Sequence, residues 1–496
     1  MISLDNSFNW KGLGVFVLAG AVCVFVVLVF RYGIPHAWSD FSGSNIESDA
    51  THITSEEAAP LHVSTTTVMA LENSSTTPQP QRVINAITIS QAIPAQGKFI
   101  VADLTNMKLT LYQNGTTTAE YQIITKGRVG TPWETPSGFY SIHSKEAKHF
   151  STIGHVYMPY SMQFYGNYFI HGWTYYPDGT PVASSFTGGC IKLNTDDAGK
   201  VFAFADIGTK VFVYDNKQII PPPQLTLENI PMPNIDAASY LVADIDTGDV
   251  YAEKDANVER PIASVTKLMT ALTANEIIQL NMQVTMNEGG LSNPPNPAST
   301  TPKTFLVDDL FYPLLMQSSN AVAGSLASYY GTHGFIQWMN ATAKSIGMAS
   351  TTFADASGAS PNNISTPEDL YHLAAYLYNK KSFVFKITQT QTKTITSDDG
   401  TSYQIKNVNT PANTAPFDGG KVGHTNAAQD TIVSVLALKV GNITRHVAII
   451  VLDSDNQKLD TKHLADWITD ATKSNSEQKQ TACAGCSQKT QEYRKI

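Results

Sequence analysis

The chain has 496 residues, of which 42% are hydrophobic and 15% are charged, and its formal net charge is -9. This length is too great for one hydrophobic core and predicts several domains, while the apolar content is typical of globular proteins. The negative charge argues against a nucleic-acid partner, and four cysteines are too few for a disulfide framework.

The first feature along the chain is an uninterrupted apolar run over residues 12–30, flanked by Lys11 and Arg31. A helix rises about 1.5 Å per residue, so this run is just long enough to span a bilayer core of about 30 Å. No small-residue cleavage site follows it. The sequence therefore predicts an uncleaved transmembrane signal anchor over residues 12–31, with a buried core helix as the alternative.

The following segment, residues 32–95, is predicted to be a disordered stalk. From about Ser39 onward it is rich in Ser, Thr, Glu and Pro and has no sustained hydrophobic period, so it cannot bury enough apolar surface to fold alone. Its last part, from Val83 to Ile93, is more apolar and is a candidate first strand of the next domain.

Residues 96–216 contain short runs in which apolar and polar residues alternate, as they do in β-strands. One of these runs ends in Asn114-Gly115. Asn-Gly is the strongest short hairpin signal, because both residues tolerate the positive φ of a tight turn. Strands with few convincing helices predict a mainly-β domain, either a sandwich or an open barrel.

Two residues of this domain are candidates for nucleophilic chemistry. Cys190 follows Gly188 and Gly189, where a sharp turn can present backbone N–H groups beside the thiol. His171 follows an apolar run that predicts a rigid strand, and it is the candidate base for the thiol proton. A buried packing cysteine is the alternative interpretation.

The order His171-Gly172 followed by the stretch at residues 187–193 resembles the signature of the YkuD-type L,D-transpeptidases, cell-wall enzymes with a mainly-β catalytic domain. The resemblance covers about residues 97–215. Thr187 stands where Ser is usual, and Lys192 stands where Arg is usual. The resemblance implies these roles: Cys190 as nucleophile, His171 as base, Gly189 with Cys190 as backbone oxyanion donors, and Thr187 and Lys192 as substrate-binding residues.

A second linker is predicted at residues 217–234, which contain two clusters of proline. Proline-rich spacers hold an extended, semi-rigid geometry. We therefore expect a domain boundary here, with the flanking domains held apart but near each other.

The next domain, residues 235–473, contains Ser264 and Lys267 at the start of a helical stretch. Residues three apart lie on the same face of a helix, so the amine can reach the hydroxyl. A serine needs such a base to become a nucleophile at neutral pH. A single pair with this spacing is nonetheless common in long chains.

Two further motifs follow in order, Ser318-Ser319-Asn320 and Lys421-Val422-Gly423. Together the three motifs resemble the penicillin-binding serine enzymes, in particular the D-alanyl-D-alanine carboxypeptidases, over about residues 235–455. The implied fold is α/β, a sheet covered by helices. The implied roles are as follows: Ser264 as nucleophile, Lys267 as its base, Ser318 and Asn320 for proton relay and peptide orientation, and Lys421, Gly423 and Thr425 for substrate binding.

Val422 stands where this family usually has Thr or Ser. If this segment is a strand, alternate residues share a face. Lys421, Gly423 and Thr425 are then expected to face the substrate, and Val422 to face away. We expect Thr425 to supply the hydroxyl that Val422 lacks.

The tail, residues 474–496, is polar and carries Cys483 and Cys486. A local disulfide is one interpretation of this pair, and a redox or thiol-anchoring role is the other. The histidines show no paired ligand spacing, so neither a metal nor a cofactor is expected.

The two resemblances together imply an enzyme that modifies peptidoglycan. With the anchor predicted from the apolar run, this function places residues 1–11 inside the bacterial cytoplasmic membrane and both catalytic domains outside it. We expect the serine domain to trim pentapeptide stems to tetrapeptides, and the cysteine domain to use tetrapeptides as cross-linking donors. Peptidoglycan stem peptides are the expected partners, and β-lactams the expected covalent inhibitors. One alternative, which depends on Lys192 and Val422, is a wall-binding or β-lactam-sensing protein with one or both sites silent. Another keeps the enzyme but changes the reaction, with the Cys190 domain anchoring proteins to the wall or hydrolysing rather than cross-linking.

Overall fold

The structure is a computed structural model that describes residues 82–83, 87–152, 154–183, 188–215, 225, 227, 229–292, 294–409, 417–440 and 443–472. The predicted anchor, Thr187, Cys483 and Cys486 lie outside the described residues. Across these ranges, no helix combines the length and the apolar character that a membrane span requires.

The first domain is mainly β, as its alternating runs predicted. The described chain begins with the short strand β1 (Arg82–Val83), which joins a sheet of the second domain. The elements of the first domain are α1 (Ile89–Ala92), β2 (Lys98–Asp103), β3 (Lys108–Gln113), β4 (Thr116–Gln122), β5 (Gly138–Ser141), β6 (Ser144–Ser151), β7 (Val156–Tyr165), β8 (Tyr168–His171), β9 (Ile191–Lys192), α2 (Thr195–Phe204) and β10 (Lys210–Tyr214). One sheet has the strand order β4-β3-β2-β10-β5, and the other has the order β6-β7-β8-β9.

The burial of each strand follows its place in the sheet. The central strand β2 lies between β3 and β10 and is buried along almost its whole length, which fits its run of apolar residues. The edge strand β4 is mostly exposed and carries three consecutive threonines. Apolar side chains from both sheets and from α2 share one core. This core fixes β8 and β9, the strands that border the cysteine motif.

The second domain is a sheet covered by helices. Its elements are β11 (Ser239–Asp244), β12 (Asp249–Lys254), β13 (Arg260–Pro261), α3 (Thr266–Ile277), β14 (Gln283–Asn287), β15 (Pro302–Leu306), α4 (Val307–Met316), α5 (Asn320–Tyr330), α6 (Thr332–Ser345), β16 (Ile364–Ser365), α7 (Pro367–Lys380), α8 (Phe383–Gln389), β17 (Thr392–Thr396), β18 (Ser402–Lys406), β19 (Phe417–Thr425), β20 (Gln429–Val440) and β21 (Ile443–Ser454). Residues 457–472 are also helical.

The main sheet of this domain has the order β1-β12-β11-β21-β20-β19. Helix α3 is buried along its entire length of 12 residues, so it is the central helix of the domain rather than a surface helix. Its apolar side chains belong to the largest core of the described chain. The serine motif at its start is therefore held on a rigid element.

Ordered structure begins earlier than the predicted boundary at residue 96. Strand β1 pairs antiparallel with β12, where Arg82 lies opposite Val250 and Val83 opposite Asp249. Helix α1 packs its apolar side chains against the outer face of the first sheet. Both elements fall within the segment predicted as a stalk, at the stretch from Val83 to Ile93, the candidate first strand of the next domain. The short strand pairs instead in the sheet of the second domain, and Ile89–Ala92 is a helix. Each element is stabilised because it completes an open sheet edge or buries apolar surface.

The two domains are in direct contact, contrary to the expectation that the proline-rich linker holds them apart. A Cβ at Gly138 would lie 2.5 Å from the Ser345 carbonyl oxygen, and a Cβ at Gly166 would lie 2.6 Å from the Glu276 carbonyl oxygen. The Tyr165 ring packs edge-on against Trp338 of the second domain, with centroids 5.2 Å apart. Close packing of both surfaces thus overrides the stiffness of the connecting segment.

Candidate active sites

Cys190 and His171 line one cavity of about 320 Å³. Strands β8 and β9 are parallel, with Ile170 opposite Ile191 and His171 opposite Lys192. Cys190 directly precedes β9, and its side chain lines the same cavity as those of His171 and Lys192. The fold therefore brings the predicted nucleophile, base and cation to one site.

The hydrogen bonding of His171 fixes which ring nitrogen is basic. Nδ1 lies 2.6 Å from the Gly172 carbonyl oxygen. A carbonyl only accepts, so Nδ1 carries the hydrogen and Nε2 is left as the basic atom. Burial lowers the pKa of His171 to about 4, although the bond to Gly172 opposes this shift. The imidazole is thus neutral and able to accept a proton at physiological pH.

The thiol of Cys190 is buried and donates to the Asn167 carbonyl oxygen at 3.8 Å. Burial raises the pKa of this thiol to about 11, and the Lys192 charge acts in the opposite direction. The resting site therefore holds a neutral thiol and a neutral imidazole rather than a preformed ion pair. Proton transfer has to accompany attack on a substrate.

Lys192 is buried in β9 and lines the same cavity as Cys190. Its amine lies 5.4 Å from the centre of the Trp173 ring. Burial lowers the pKa of Lys192, and the nearby Cys190 opposes that shift. The amine is placed where it can stabilise a thiolate or meet a substrate carboxylate.

Gly189 adopts a conformation that disfavours side chains, with φ of +99°. A Cβ there would collide with the Tyr168 ring and lie 2.8 Å from the Trp133 carbonyl oxygen. Thr135 Oγ1 donates to the Gly189 carbonyl oxygen at 2.8 Å and accepts from the Gly127 N–H at 2.8 Å. These bonds fix the turn that presents Cys190.

The serine motif forms a second site. Ser264 lies in a short 3-10 turn, Ala263–Val265, directly before α3, rather than within the α-helix itself. Lys267 Nζ lies 2.9 Å from Ser264 Oγ and 2.7 Å from Asn320 Oδ1. The structure therefore brings together three of the residues that the sequence assigned to this site.

The electrostatics of Lys267 suit a base. Burial lowers its pKa to about 7, and the charge of Asp355 partly opposes this shift. An amine with such a pKa is substantially unprotonated at neutral pH. Lys267 can therefore take the proton of the Ser264 hydroxyl.

Asp355 and Ser357 contribute to the site, although the sequence reasoning assigned them no role. Asp355 accepts hydrogen bonds from the backbone N–H groups of Ser357 and Ser360, at 2.6 and 2.7 Å, and these bonds lower its pKa. The loop so fixed brings the Ser357 carbonyl oxygen to 2.5 Å from Lys267 Nζ. An aspartate followed within five residues by Ser, Gly and Ser is the signal that indicates such a turn.

Ser318 lies beside Asn320 in the wall of a cavity of about 430 Å³. Its backbone is left-handed, with φ of +59°, an uncommon conformation for a residue with a side chain. Its hydroxyl is not part of the hydrogen-bonded group of Ser264, Lys267 and Asn320. Ser318 is thus near the site but outside its inner contacts.

Strand β19 borders Ser264 from the other side. A Cβ at Gly423 would lie 2.9 Å from the Ser264 N–H nitrogen, whereas Val422 packs into an apolar cluster elsewhere. Lys421 is buried and donates to the Val422 carbonyl oxygen at 2.6 Å, and burial lowers its pKa well below the usual range. Thr425 Oγ1 accepts from the Ala428 N–H at 3.1 Å, at the turn into β20.

The closeness of β19 to Ser264 gives a testable prediction. Gly423→Ala should slow acylation of Ser264 by a fluorescent penicillin about tenfold or more, because the added methyl group also meets Thr431 Oγ1 at 2.6 Å and small displacements at a reacting centre are costly. Gly324→Ala in α5 is the matched control, since its Cβ meets nothing within 4 Å. Equal rates for the two variants would show that the close packing of β19 against Ser264 is not needed for acylation.

Comparisons with known proteins divide the chain in the same way. Residues 226–456 match the family described as D-alanyl-D-alanine carboxypeptidase, and residues 97–213 match the L,D-transpeptidase catalytic domain. The D-alanyl-D-alanine endopeptidase of Escherichia coli is 28% identical, over 48% of this chain and 78% of its own length. The carboxypeptidase DacB2 of Mycobacterium tuberculosis is 30% identical (42% and 73%), and the endopeptidase of Haemophilus influenzae is 31% identical (44% and 76%).

Proposed function

Because this chain belongs to the D-alanyl-D-alanine carboxypeptidase family and also carries an L,D-transpeptidase catalytic domain, we propose that it performs two successive reactions on peptidoglycan stem peptides. The Ser264 site removes the terminal D-alanine of a pentapeptide. The Cys190 site then uses the tetrapeptide as the acyl donor for a cross-link.

In the first reaction, Lys267 takes the hydroxyl proton as Ser264 Oγ attacks the carbonyl carbon of the penultimate D-alanine. The peptide bond breaks, and the departing D-alanine nitrogen receives a proton from Lys267. Water then hydrolyses the Ser264 ester and releases the tetrapeptide. The hydrogen bond of 2.9 Å between Lys267 Nζ and Ser264 Oγ is the observation that carries this step.

In the second reaction, His171 Nε2 takes the thiol proton as Cys190 Sγ attacks the carbonyl carbon of the third residue of the tetrapeptide. The terminal D-alanine leaves with that proton, and a thioester remains on Cys190. An amine of a second stem peptide attacks the thioester, forms the new amide and restores the thiol. The shared cavity of Cys190, His171 and Lys192 supports this assignment.

Coupling of the two reactions is supported by the placement of both sites in one compact unit. The product of the serine reaction has the chemistry that the cysteine reaction needs as its donor. Tethering two sites in one chain also raises the local concentration of an intermediate that is released between them.

Residues 12–31 are proposed to anchor the enzyme in the cytoplasmic membrane, with both domains on the extracytoplasmic side, where peptidoglycan is located. The apolar run and its flanking charges support the anchor. β-Lactams are proposed as covalent ligands of Ser264, because they acylate serine sites of this kind.

Mass spectrometry of the detergent-solubilised full chain incubated with a disaccharide-pentapeptide tests the sequence of reactions. The wild type should release one D-alanine and then form a dimer that lacks a second D-alanine. Ser264→Ala should abolish dimer formation from pentapeptide but retain it on supplied tetrapeptide, and Cys190→Ala should stop at the tetrapeptide. Equal dimer formation by Ser264→Ala on both substrates would refute the sequential scheme.

The relatives favour a second candidate for the serine reaction, because two of the three described above are named endopeptidases. In that case Ser264 would cleave a D-alanyl cross-link rather than trim a free pentapeptide. Incubating Cys190→Ala with a purified cross-linked dimer distinguishes the two reactions. If Ser264 is acylated once and the acyl group is never released, the protein is a sensor instead.

A further inference from the structure

One helix connects the two catalytic sites. Lys267 lies in the first turn of α3, and Asn275 and Glu276 lie in its last turn, where they line the Cys190 cavity together with Gln279. A helix of 12 residues is about 18 Å long. The carboxypeptidase domain therefore supplies part of the wall of the cysteine site.

The carboxypeptidase domain also forms hydrogen bonds to a loop of the transpeptidase domain, residues 132–134. Lys381 is completely buried, and its amine donates to the carbonyl oxygens of Pro132 and Glu134 at 3.0 and 2.9 Å. Asn275 Nδ2 donates to the same Pro132 oxygen at 3.0 Å. Three hydrogen bonds across the domain interface thus fix the backbone of residues 132–134.

The loop of residues 132–135 in turn supports the backbone at Gly189 and Cys190. Thr135, the last of these residues, donates to the Gly189 carbonyl oxygen at 2.8 Å. The Trp133 carbonyl oxygen lies so close to Gly189 that no side chain would fit there. A displacement of residues 132–135 would therefore move Gly189 and, with it, the thiol of Cys190.

A second connection runs through the end of α3. The Glu276 carbonyl oxygen accepts from the Asn167 N–H at 3.2 Å, and the Asn167 carbonyl oxygen accepts from the Cys190 thiol. The Glu276 carboxylate is buried and accepts from the Tyr165 hydroxyl at 2.5 Å. The thiol and its supporting turn are both fixed by groups of the other domain.

We infer that the carboxypeptidase domain completes the cysteine site, with Lys381 and Asn275 acting as positioning residues for the Gly189–Cys190 turn. Both residues donate to carbonyl oxygens of residues 132–134, and Lys381 also donates at 3.3 Å to the hydroxyl of Tyr168, whose ring packs against Gly189. The inference rests on the proposed transpeptidase function for its effect on turnover, but not for its effect on the reactivity of the thiol.

Lys381→Met in the full chain tests this inference, with Lys380→Met as the matched control. Lys380 is also buried at the interface, but it donates to Asp215 Oδ2 at 2.7 Å, away from the loop. Lys381→Met should lower kcat for tetrapeptide cross-linking at least about tenfold and change the pH profile of Cys190 alkylation by iodoacetamide. Lys380→Met should retain both within about twofold, even if its unfolding temperature falls equally.

A double variant separates positioning from charge compensation, since Lys381 and Glu276 are both buried and interact electrostatically. Burial lowers the pKa of Lys381 and raises the pKa of Glu276, and each group opposes the shift of the other. If Lys381→Met combined with Glu276→Gln restores the wild-type alkylation profile, Lys381 acts only as a countercharge and the inference is wrong. A persistent defect in the double variant supports the positioning role. Equal behaviour of Lys381→Met and Lys380→Met would also overturn it.

Two further outcomes keep the test decisive. If Lys381→Met does not fold, as judged by loss of Ser264 acylation, Asn275→Ala takes its place and should show the same changes in kcat and alkylation to a smaller degree; an unchanged profile would overturn the inference. If wild-type Cys190 is alkylated normally but forms no cross-link, the proposed function fails, while the alkylation comparison still decides the positioning role.

Discussion

Lys267→Met is expected to slow acylation of Ser264 by a β-lactam about 10²- to 10⁴-fold, the usual contribution of a general base. The amine is the group in hydrogen-bond contact with the Ser264 hydroxyl, and methionine has a similar length but no basic atom. Stopped-flow measurement with a fluorescent penicillin gives the rate. Cys190 alkylation in the same variant should be unchanged, because the substituted side chain lies at the opposite end of α3 from the cysteine site.

The role of Lys267 as base also predicts how the acylation rate of the wild type depends on pH. Burial lowers the pKa of Lys267 to about 7, against about 10.4 for an exposed lysine. The neutral amine is the active form, so the acylation rate should be at its plateau above about pH 8 and fall about tenfold per unit below pH 7. A profile still rising between pH 9 and 11 would show that the amine keeps an ordinary pKa.

Lys303→Met is the control for the change of lysine to methionine within this domain. Lys303 forms a partly exposed ion pair with Asp399 at 2.5 Å, and ion pairs near the surface contribute little to stability. This variant should acylate at the wild-type rate. If Lys267→Met retained the wild-type rate and pH profile, another group would have to be the base.

The parts of both sites that lie close together in the sequence were predictable. Ser264 and Lys267 are three residues apart, and one turn of helix brings them into contact whether that turn is 3-10 or α. The alternation of β19 likewise separates Gly423 from Val422, because side chains of a strand alternate by geometry. Local periodicity therefore encoded these contacts.

The contact between the domains was not predictable in the same way. Lys381 and Pro132 are 249 positions apart, and a lysine at the end of an amphipathic helix ordinarily faces solvent. Its burial depends on the shape of another domain, which no local pattern of residues records. For the same reason, the proline-rich linker suggested separated domains, although the surfaces on either side of it pack together.

The backbone acceptors of the sites were also hidden in the sequence. The Ser357 and Asn167 carbonyl oxygens contact Lys267 and Cys190, but every residue carries a carbonyl group, so residue identity gives no signal. Only the folded path of each loop selects one oxygen among many. The Asp355 turn is a partial exception, since its side chain stabilises a loop in a recognisable pattern.

His171→Gln is expected to lower tetrapeptide cross-linking about 10²- to 10⁴-fold, since the variant keeps an amide that can bond to the Gly172 carbonyl oxygen but has no basic nitrogen. Burial lowers the pKa of His171 to about 4, so the imidazole stays neutral, and therefore active as a base, well below pH 6.5. The wild-type kcat should accordingly not fall as the pH drops through 6.5, and its acid limb should appear only near pH 4.

The pH dependence of Cys190 alkylation tests the protonation state of the thiol in the same site. Burial raises the pKa of Cys190 to about 11, so its alkylation by iodoacetamide should rise with pH throughout the range from 7 to 10, without the plateau of a preformed thiolate. Peptide mapping by mass spectrometry separates Cys190 from Cys23, Cys483 and Cys486, and the unfolded chain gives the reference near pH 8.5. A plateau already reached at pH 7 would mean that thiolate and imidazolium coexist at rest, and His171→Gln would then abolish that plateau rather than slow a later proton transfer.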